Sequence, residues 1–255
     1  MDDNIDYLAD PGSETFSDRD WHAYQIEMKG IVNKLTTDLY KAFKDFILDV
    51  EFPEEMDGKL LLLENDSIFL NFNYIDTLIK YYGIKPSRIL FIHGRARNPN
   101  DTLILGHGVD PSEFVEEEEK QPEGLNGEDL ERWRDYMADK NEYSYRSGKE
   151  ELMSYFKTSY KSAHEIINDN LNHFYEFAKV KKVIVLGHSI SEVDQPYFRK
   201  IIELLNGKSV SWTATYYSDL EGDAHLKTLV SMGVKSTNIE LVKMFALSPK
   251  QPTFF

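Results

Sequence analysis

The sequence NFNYIDTL occupies residues 71–78 and follows directly on the apolar run of residues 68–70. A short apolar run bounded by a turn signal is typical of a buried strand. This run ends in an amide, an aromatic ring and a carboxylate, and open α/β sheets bind ligands at the C-terminal ends of their strands. The stretch therefore predicts a strand that presents polar side chains to a site, followed by a helix over residues 76–82.

Three further apolar runs end in the same way, with glycine and histidine. Runs with so little alternation suit strands that are covered on both faces, as in a parallel sheet. Because parallel strands bring their C-terminal ends to one edge of a sheet, we expect the four strand ends to build one site together. The three runs are residues 88–92 before His93-Gly94, residues 103–105 before Gly106-His107-Gly108, and residues 183–186 before Gly187-His188-Ser189.

The remaining pattern predicts how these strands are surrounded. From Trp21 to about Val50, apolar residues recur every three or four positions, which predicts an amphipathic helix whose apolar face packs in the core. The polar and acidic residues 1–17 predict a flexible tail. Residues 18–255 are predicted to form a single α/β domain with a helical insertion at about residues 128–180. Further strands are predicted at residues 60–63, 67–73, 102–105, 209–217 and 239–242, and further helices at 130–138, 149–178, 195–205 and 224–232.

Composition limits the classes of function. The 255 residues include no cysteine, which excludes thiolate zinc sites and cysteine nucleophiles and suits a reducing cytoplasm. The formal net charge of −15 works against nucleic-acid binding, because phosphate contacts come from clustered lysine and arginine. No apolar run reaches the roughly 18 to 20 residues that a membrane span requires. The sequence predicts a cytoplasmic protein without nucleic-acid or membrane partners.

The histidines at the strand ends are candidates for proton transfer. His93 follows four apolar residues and precedes Gly94, so its imidazole is expected where the strand stops and the backbone turns. Histidine titrates near neutrality and is the commonest general base. The structural alternative is a histidine that caps its own turn. The glycines beside His107 and His188 would bring backbone N–H groups close to a bound ligand, as phosphate-binding loops do.

Three other polar residues near the strand ends have both a functional and a structural interpretation. Asn73 can position a water or a sugar hydroxyl through its amide, or close the chain as an Asx turn. Asp194 precedes Gln195-Pro196 and can serve as a helix N-cap, a role that is compatible with ligand contact. Ser189 resembles the start of a nucleophile elbow, but Ser191 stands where the elbow needs its second glycine, which argues against a serine hydrolase.

Taken together, these motifs resemble the bacterial AbiH-type abortive-infection family. Their order and spacing carry the resemblance, which covers most of residues 18–245, and the aromatic-rich helix with Trp21 and Glu27 is similar to that family as well. The motifs are Asn-Phe-Asn-Tyr-x-Asp-Thr-Leu at residues 71–78, Ile-His-Gly at 92–94, Leu-Gly-His-Gly at 105–108 and Leu-Gly-His-Ser-Ile-Ser-Glu-Val-Asp at 186–194.

The resemblance implies a fold and a reaction. The AbiH-type family is similar to sirtuin-like domains, so it implies a Rossmann-like, mostly parallel α/β sheet with a helical N-terminal region and a helical insertion. It implies an anti-phage protein that hydrolyses NAD at the nicotinamide–ribose bond, with Asn73 orienting the ribose and the attacking water and His93 removing a proton. The residues that it implies for contact with NAD are Asn71, Tyr74, Asp76, Gly94, Gly106, His107, Gly187, His188, Ser189 and Asp194.

The sequence departs from the family pattern in one place. Members of the family usually begin with a strand followed by Gly-Asn-Gly-Phe-Asp, which is the expected pyrophosphate site. The 255 residues do not contain that segment. The resemblance then implies a sheet with an open edge, which invites pairing with another chain. We therefore expect a homo-oligomer, or a partner that supplies a first strand, beside a small nucleotide ligand.

Two other functions stay open at the level of sequence. One is a metal-dependent hydrolase that uses His93, His107 and His188 together with Asp76, Asp110 or Asp194, because histidine and carboxylate ligands suit zinc, manganese or iron. The other is a catalytically inactive module for nucleotide sensing or assembly.

Overall fold

The computed structural model describes residues 7–54, 60–64, 66–114, 121–140 and 143–247. The chain divides into two compact units, one made of residues 1–43 and 109–160 and the other of residues 44–108 and 161–255. In chain order, the helices and strands are α1 (Ala23–Asn33), α2 (Leu39–Leu48), β1 (Phe69–Asn71), α3 (Thr77–Lys80), β2 (Ile89–Phe91), α4 (Gly127–Lys140), α5 (Tyr143–Thr158), α6 (Ala163–Asp169), α7 (Leu171–Phe177), β3 (Lys182–Val185), α8 (Gln195–Leu204), β4 (Ser211–Tyr216), α9 (Asp219–Ser231) and β5 (Ile239–Lys243).

The first unit is helical in its described residues and packs α1 against α5. Tyr24, Met28 and Val32 of α1 are buried, and Tyr24 and Met28 belong to the apolar face that the sequence predicts. Gly148 of α5 allows the two helices to approach closely, because a Cβ atom at that position would lie 2.1 Å from Cδ1 of Tyr24. Ala9 donates a backbone hydrogen bond to the hydroxyl of buried Ser144, so part of the segment that was expected to be a flexible tail contacts α5.

The predicted burial of the long N-terminal helix is wrong for three side chains beyond α1. A π-helical segment, Lys34–Asp38, separates α1 from α2, and the Thr36 hydroxyl donates to the Val32 carbonyl at 2.8 Å. A π-turn widens the helix and shifts the residues that follow around its axis, so a stripe that assumes 3.6 residues per turn no longer faces one way. The side chains that were expected in the core and are exposed are Leu35, Leu39 and Phe46.

The second unit contains the strands, and all its described strand pairs are parallel. β1 pairs with β2, and each residue of β1 lies opposite the residue 20 positions later, from Phe69 and Ile89 to Asn71 and Phe91. A second sheet has the order β3-β4-β5. The α/β class is therefore confirmed, while the Rossmann-like and sirtuin-like details stay predictions.

Three local predictions in this part of the chain are wrong. The run at residues 60–63 is described but forms no strand. The run at 102–105 forms a single antiparallel bridge, between Leu103 and Gly94. The helix predicted over 149–178 is broken, because α5 ends at Thr158 and the Ser162 hydroxyl caps a new helix by accepting from the Glu165 N–H. A serine in that position competes with the helical backbone and starts a fresh helix.

A shared core connects these elements within the second unit. The three-stranded sheet contributes Trp212 and Ala214, and α8 contributes Tyr197, which is fully buried. Ile92, directly after β2, belongs to the same cluster. The residue that follows Ile92 is His93, so the core fixes the position at which the candidate base emerges.

Candidate functional site

His93 is held by a tight turn at the end of β2. The Gly94 N–H donates to the Phe91 carbonyl at 3.1 Å, and Gly94 has a φ of +89°, a left-handed conformation that glycine adopts without steric cost. The His93 residue is only 6% exposed. The sequence prediction that a tight glycine turn positions this imidazole is confirmed.

The His93 ring contacts a lysine and a carboxylate that come from distant parts of the sequence. Nε2 of His93 lies 2.8 Å from Nζ of Lys161 and 3.3 Å from Oδ1 of Asp194. Nζ of Lys161 is also 2.8 Å from the same Asp194 oxygen. Asp194 stands at the N-cap position of α8, yet its carboxylate makes no capping hydrogen bond to the described helix. Its oxygens are directed at Lys161 and the histidines instead.

His188 completes the cluster from the loop after β3. Its Nδ1 accepts a hydrogen bond from the Ile190 N–H at 2.8 Å, which places the proton of a neutral ring on Nε2. That Nε2 lies 3.4 Å from Oδ2 of Asp194. Ile190 has a φ of +51° and a buried side chain. A β-branched residue in the left-handed region is strained, and such strain occurs preferentially at functional sites.

Aromatic rings enclose the four polar side chains. The Phe72 ring lies 4.1 Å from the His188 ring and 5.5 Å from the His93 ring, centroid to centroid, and stacks on Phe198. On another side, the Tyr197 ring centroid is 5.7 Å from Nζ of Lys161. Apolar walls lower the local dielectric constant, so the charges and hydrogen bonds inside interact more strongly than they would in water. We refer to His93, Lys161, His188 and Asp194 as the polar cluster.

The pKa of Asp194 reflects this environment. Burial raises the pKa of the Asp194 carboxyl, but the neighbouring side chains of His188, His93 and Lys161 lower it by more, so the net pKa is well below its ordinary value. Burial, reinforced by the negative charge of Asp194, raises the pKa of Tyr197 above its usual range. Asp194 is therefore a carboxylate across the physiological pH range, and Tyr197 is a neutral phenol.

The depressed pKa of Asp194 makes part of the stability pH-dependent. A carboxyl group whose pKa is lower in the folded state contributes stability above its unfolded pKa of about 3.9, and that contribution is lost as the pH falls toward the folded value. We expect the difference in free energy of unfolding between the parent and Asp194→Asn to be full at pH 6 and to shrink from pH 4 to pH 2.5. Urea titrations followed by circular dichroism measure it. A difference that stays constant over this range contradicts the assignment.

The other residues expected from the sequence lie around the cluster in different roles. Asn71 accepts the Asn73 N–H on its side-chain oxygen at 3.1 Å, so the Asx turn at this strand end is made by the amide of Asn71 and not by that of Asn73. Asn73 is exposed. Tyr74 donates its hydroxyl to the Ile104 carbonyl at 3.0 Å, and its ring lies 6.3 Å from the His93 ring. Both carboxylate oxygens of Asp76 accept hydrogen bonds from the Arg95 guanidinium, and this pair connects the chain after β1 with the chain after β2.

The loops that contain His107 and Gly187 make backbone hydrogen bonds that hold the site in place. The carbonyl of His107, between Gly106 and Gly108, accepts the Lys161 N–H at 2.8 Å and so anchors the lysine of the cluster. Gly187 has a φ of +58°, and its N–H donates to the Thr215 hydroxyl at 2.9 Å. Ser189 is exposed. Backbone pairing joins the first three runs and places the run at residues 183–186 in the other sheet. All four run ends nevertheless reach the cluster, Phe72, His93 and His188 through their side chains and His107 through its carbonyl.

Two members of the site were not found by sequence reasoning. Lys161 lies inside a segment that the periodicity assigns to one long helix, where a lysine is expected on the solvated face. Tyr197 carries no motif, although it is fully buried beside His93. The sequence signal near Lys161 is Ser162, because serine favours helix N-caps and so indicates that a new helix begins there.

The metal alternative receives no support from the geometry. Across the residues that the structure describes, no three histidine, aspartate or glutamate side chains are grouped as a metal site requires. The ammonium of Lys161 stands beside His93 and Asp194, where a metal would have to bind.

The described part of the chain also contains no helix long and apolar enough to cross a membrane.

Comparison with known proteins identifies a family. The family model described as bacteriophage abortive infection AbiH matches residues 1–216, and this range includes all the strand-end motifs and the polar cluster. No curated protein and no solved structure matches the chain. The match extends over most of the sequence, and the chain therefore belongs to the bacteriophage abortive infection AbiH family, whose members are phage-defence proteins.

Proposed function

We propose that this abortive-infection protein hydrolyses NAD at the bond between nicotinamide and ribose, with His93 as the general base. The observation that carries the proposal is the polar cluster at the end of β2, in which a buried imidazole is held beside a carboxylate. In an abortive-infection protein, loss of the cell's NAD would stop phage replication along with the host. The similarity of the family to sirtuin-like domains supports NAD as the substrate.

The reaction needs one proton acceptor. Water adds to C1′ of the ribose, the C1′–N bond breaks with its electron pair moving to the pyridine nitrogen, and nicotinamide leaves uncharged. The products are ADP-ribose, nicotinamide and one proton, which His93 takes up. The anionic Asp194 stabilises the positive charge that passes first to the ribose ring and then to the imidazole.

The strand register supports a role for Asn73 beside His93. β1 and β2 run parallel with a constant offset of 20 residues, and Asn73 and His93 share that offset, each standing two residues beyond the last paired position. Both residues therefore leave the sheet at the same edge. The exposed Asn73 amide is suited to orient the ribose hydroxyls and the attacking water, as an amide both donates and accepts hydrogen bonds.

Replacement of His93 by alanine tests the proposal. We expect release of nicotinamide from NAD to fall at least ~100-fold, because a positioned general base contributes about 10²- to 10⁴-fold to the rate. Nicotinamide and ADP-ribose are measured by liquid chromatography after incubation of the purified full chain with NAD.

The matched control is His164→Ala, since His164 is an exposed histidine on α6 of the same unit. This variant is expected to hydrolyse NAD at the rate of the parent. Circular dichroism of both variants checks that they are folded. Equal NAD loss with His93→Ala and with the parent rules out His93 as the base, and no NAD loss with the parent argues against the reaction itself.

A further inference from the structure

Lys161 is a buried cation whose ammonium group is hydrogen-bonded within the polar cluster. The residue is only 7% exposed, and Nζ lies 2.8 Å from both Nε2 of His93 and Oδ1 of Asp194. Its backbone N–H is fixed by the His107 carbonyl. Burying an ammonium costs several kcal/mol unless it is paired and hydrogen-bonded, so a lysine in this position requires its two partners.

The hydrogen-bond donors of Lys161 determine the tautomer of His93. An ammonium group donates hydrogen bonds and accepts none, so Nε2 of His93 must accept and carries no proton. The proton of the neutral ring then lies on Nδ1, which is buried and has no hydrogen-bond partner among the described residues. His93 in this state has no free lone pair, because Lys161 fills the one on Nε2.

Lys161 also interrupts a pair that would otherwise form. Oδ1 of Asp194 lies 3.3 Å from Nε2 of His93, within reach of a hydrogen bond if Nε2 carried a proton. In an aspartate–histidine pair the carboxylate holds one ring nitrogen as N–H, and the other nitrogen becomes the base. With the ammonium in place, Asp194 binds Lys161 instead.

We propose that Lys161 is a positioning residue that keeps His93 as the Nδ1–H tautomer with its Nε2 lone pair masked. When the ammonium withdraws, the Nε2 atom of His93 donates to Asp194 and the Nδ1 lone pair becomes free to take a proton. The tautomer follows from the contacts alone. Its catalytic meaning, a base that is held inactive until Lys161 moves, rests on the proposed NAD hydrolysis.

Nitrogen NMR of the histidine rings tests the assignment without substrate. The full chain is labelled with ¹⁵N-histidine, and two-bond ¹H–¹⁵N correlation spectra distinguish a protonated Nδ1 from a protonated Nε2. The His93 signals are identified by their loss in His93→Gln. We expect protonated Nδ1 in the parent, protonated Nε2 in Lys161→Met, and the parent pattern in Lys161→Arg, which keeps the charge and the donors.

The control is Lys200→Met, which removes a lysine that pairs with Glu203 on the surface of α8. It should leave the His93 signals unchanged. A protonated Nε2 in the parent overturns the proposal, and this measurement needs no variant, so it holds even if Lys161→Met fails to fold. A folded Lys161→Met protein with protonated Nδ1 also overturns it.

Measuring NAD hydrolysis by the same variants tests the masking role of Lys161 separately from the proposed reaction. Unmasking the base should raise NAD hydrolysis about ten-fold in Lys161→Met, a direction that a purely structural lysine would not give. An unchanged or lower rate in the folded variant overturns the masking role. A tautomer that switches as expected, with no NAD hydrolysis in any variant, leaves the assignment standing and rejects the proposed function.

Discussion

Replacing Asp194 with alanine is expected to lower the free energy of unfolding by about 3–5 kcal/mol, the usual cost of breaking a buried ion pair from one side. The carboxylate is the partner of the buried Lys161 and lies near two imidazoles, so its removal leaves an ammonium in an apolar enclosure with His93 as its remaining hydrogen-bond partner. Urea unfolding of the full chain, followed by circular dichroism, measures the loss.

Two further variants show whether the loss comes from the unpaired ammonium. Glu192→Ala removes an exposed carboxylate from the same short turn and should cost less than ~0.5 kcal/mol, as surface substitutions do. In Asp194→Ala combined with Lys161→Met, no buried charge is left unpaired, so the double variant should be more stable than Asp194→Ala alone. Additive losses in the double variant would contradict the pairing.

Gly94→Ala is expected to cost at least about 2 kcal/mol, through the combined effects of a left-handed backbone and a steric clash. A Cβ atom at position 94 would lie 2.4 Å from the Thr102 carbonyl oxygen, far inside van der Waals contact, and the clash is with backbone that cannot rotate away. The turn that it distorts carries His93. We therefore expect NAD hydrolysis to fall together with stability, measured by nicotinamide release and by urea unfolding.

Gly83→Ala is the matched control for this substitution. Gly83 has a similar positive φ of +64°, but no atom lies within 4 Å of an added Cβ. Its replacement should cost only the backbone penalty of about 1 kcal/mol and leave the reaction unchanged. The difference between the two variants isolates the contact with Thr102, and equal losses would mean that this contact is not tight.

The regular parts of the fold were predictable because apolar runs report burial directly. The predicted runs at residues 88–92, 183–186 and 239–242 differ from β2, β3 and β5 by at most one residue at each end, and α8 ends one residue before its prediction. The breaks were not predictable from the same signal. A π-turn after Asn33 and a serine cap at Ser162 depend on individual hydrogen bonds, and an apolar stripe continues through both of them in the sequence.

For the site, the sequence identified residues that follow strands and missed those that only tertiary contact brings near. His93 and His188 stand after apolar runs and are recognisable there. Lys161 has the same appearance in the sequence as any surface lysine, and its burial depends on Asp194, which is 33 residues away along the chain. A carboxylate at a helix N-cap is equally ambiguous, because the cap position does not reveal where the oxygens point.

Position 190 limits what redesign of this protein can achieve. The backbone there has a φ of +51°, which glycine or asparagine would tolerate better, yet the isoleucine side chain is almost completely buried. No natural amino acid offers both a relaxed left-handed backbone and a branched apolar side chain of that size. An engineer who seeks a more thermostable form must therefore leave residue 190 unchanged and look to neighbouring positions, where a gain in stability does not disturb the Ile190 N–H that orients His188.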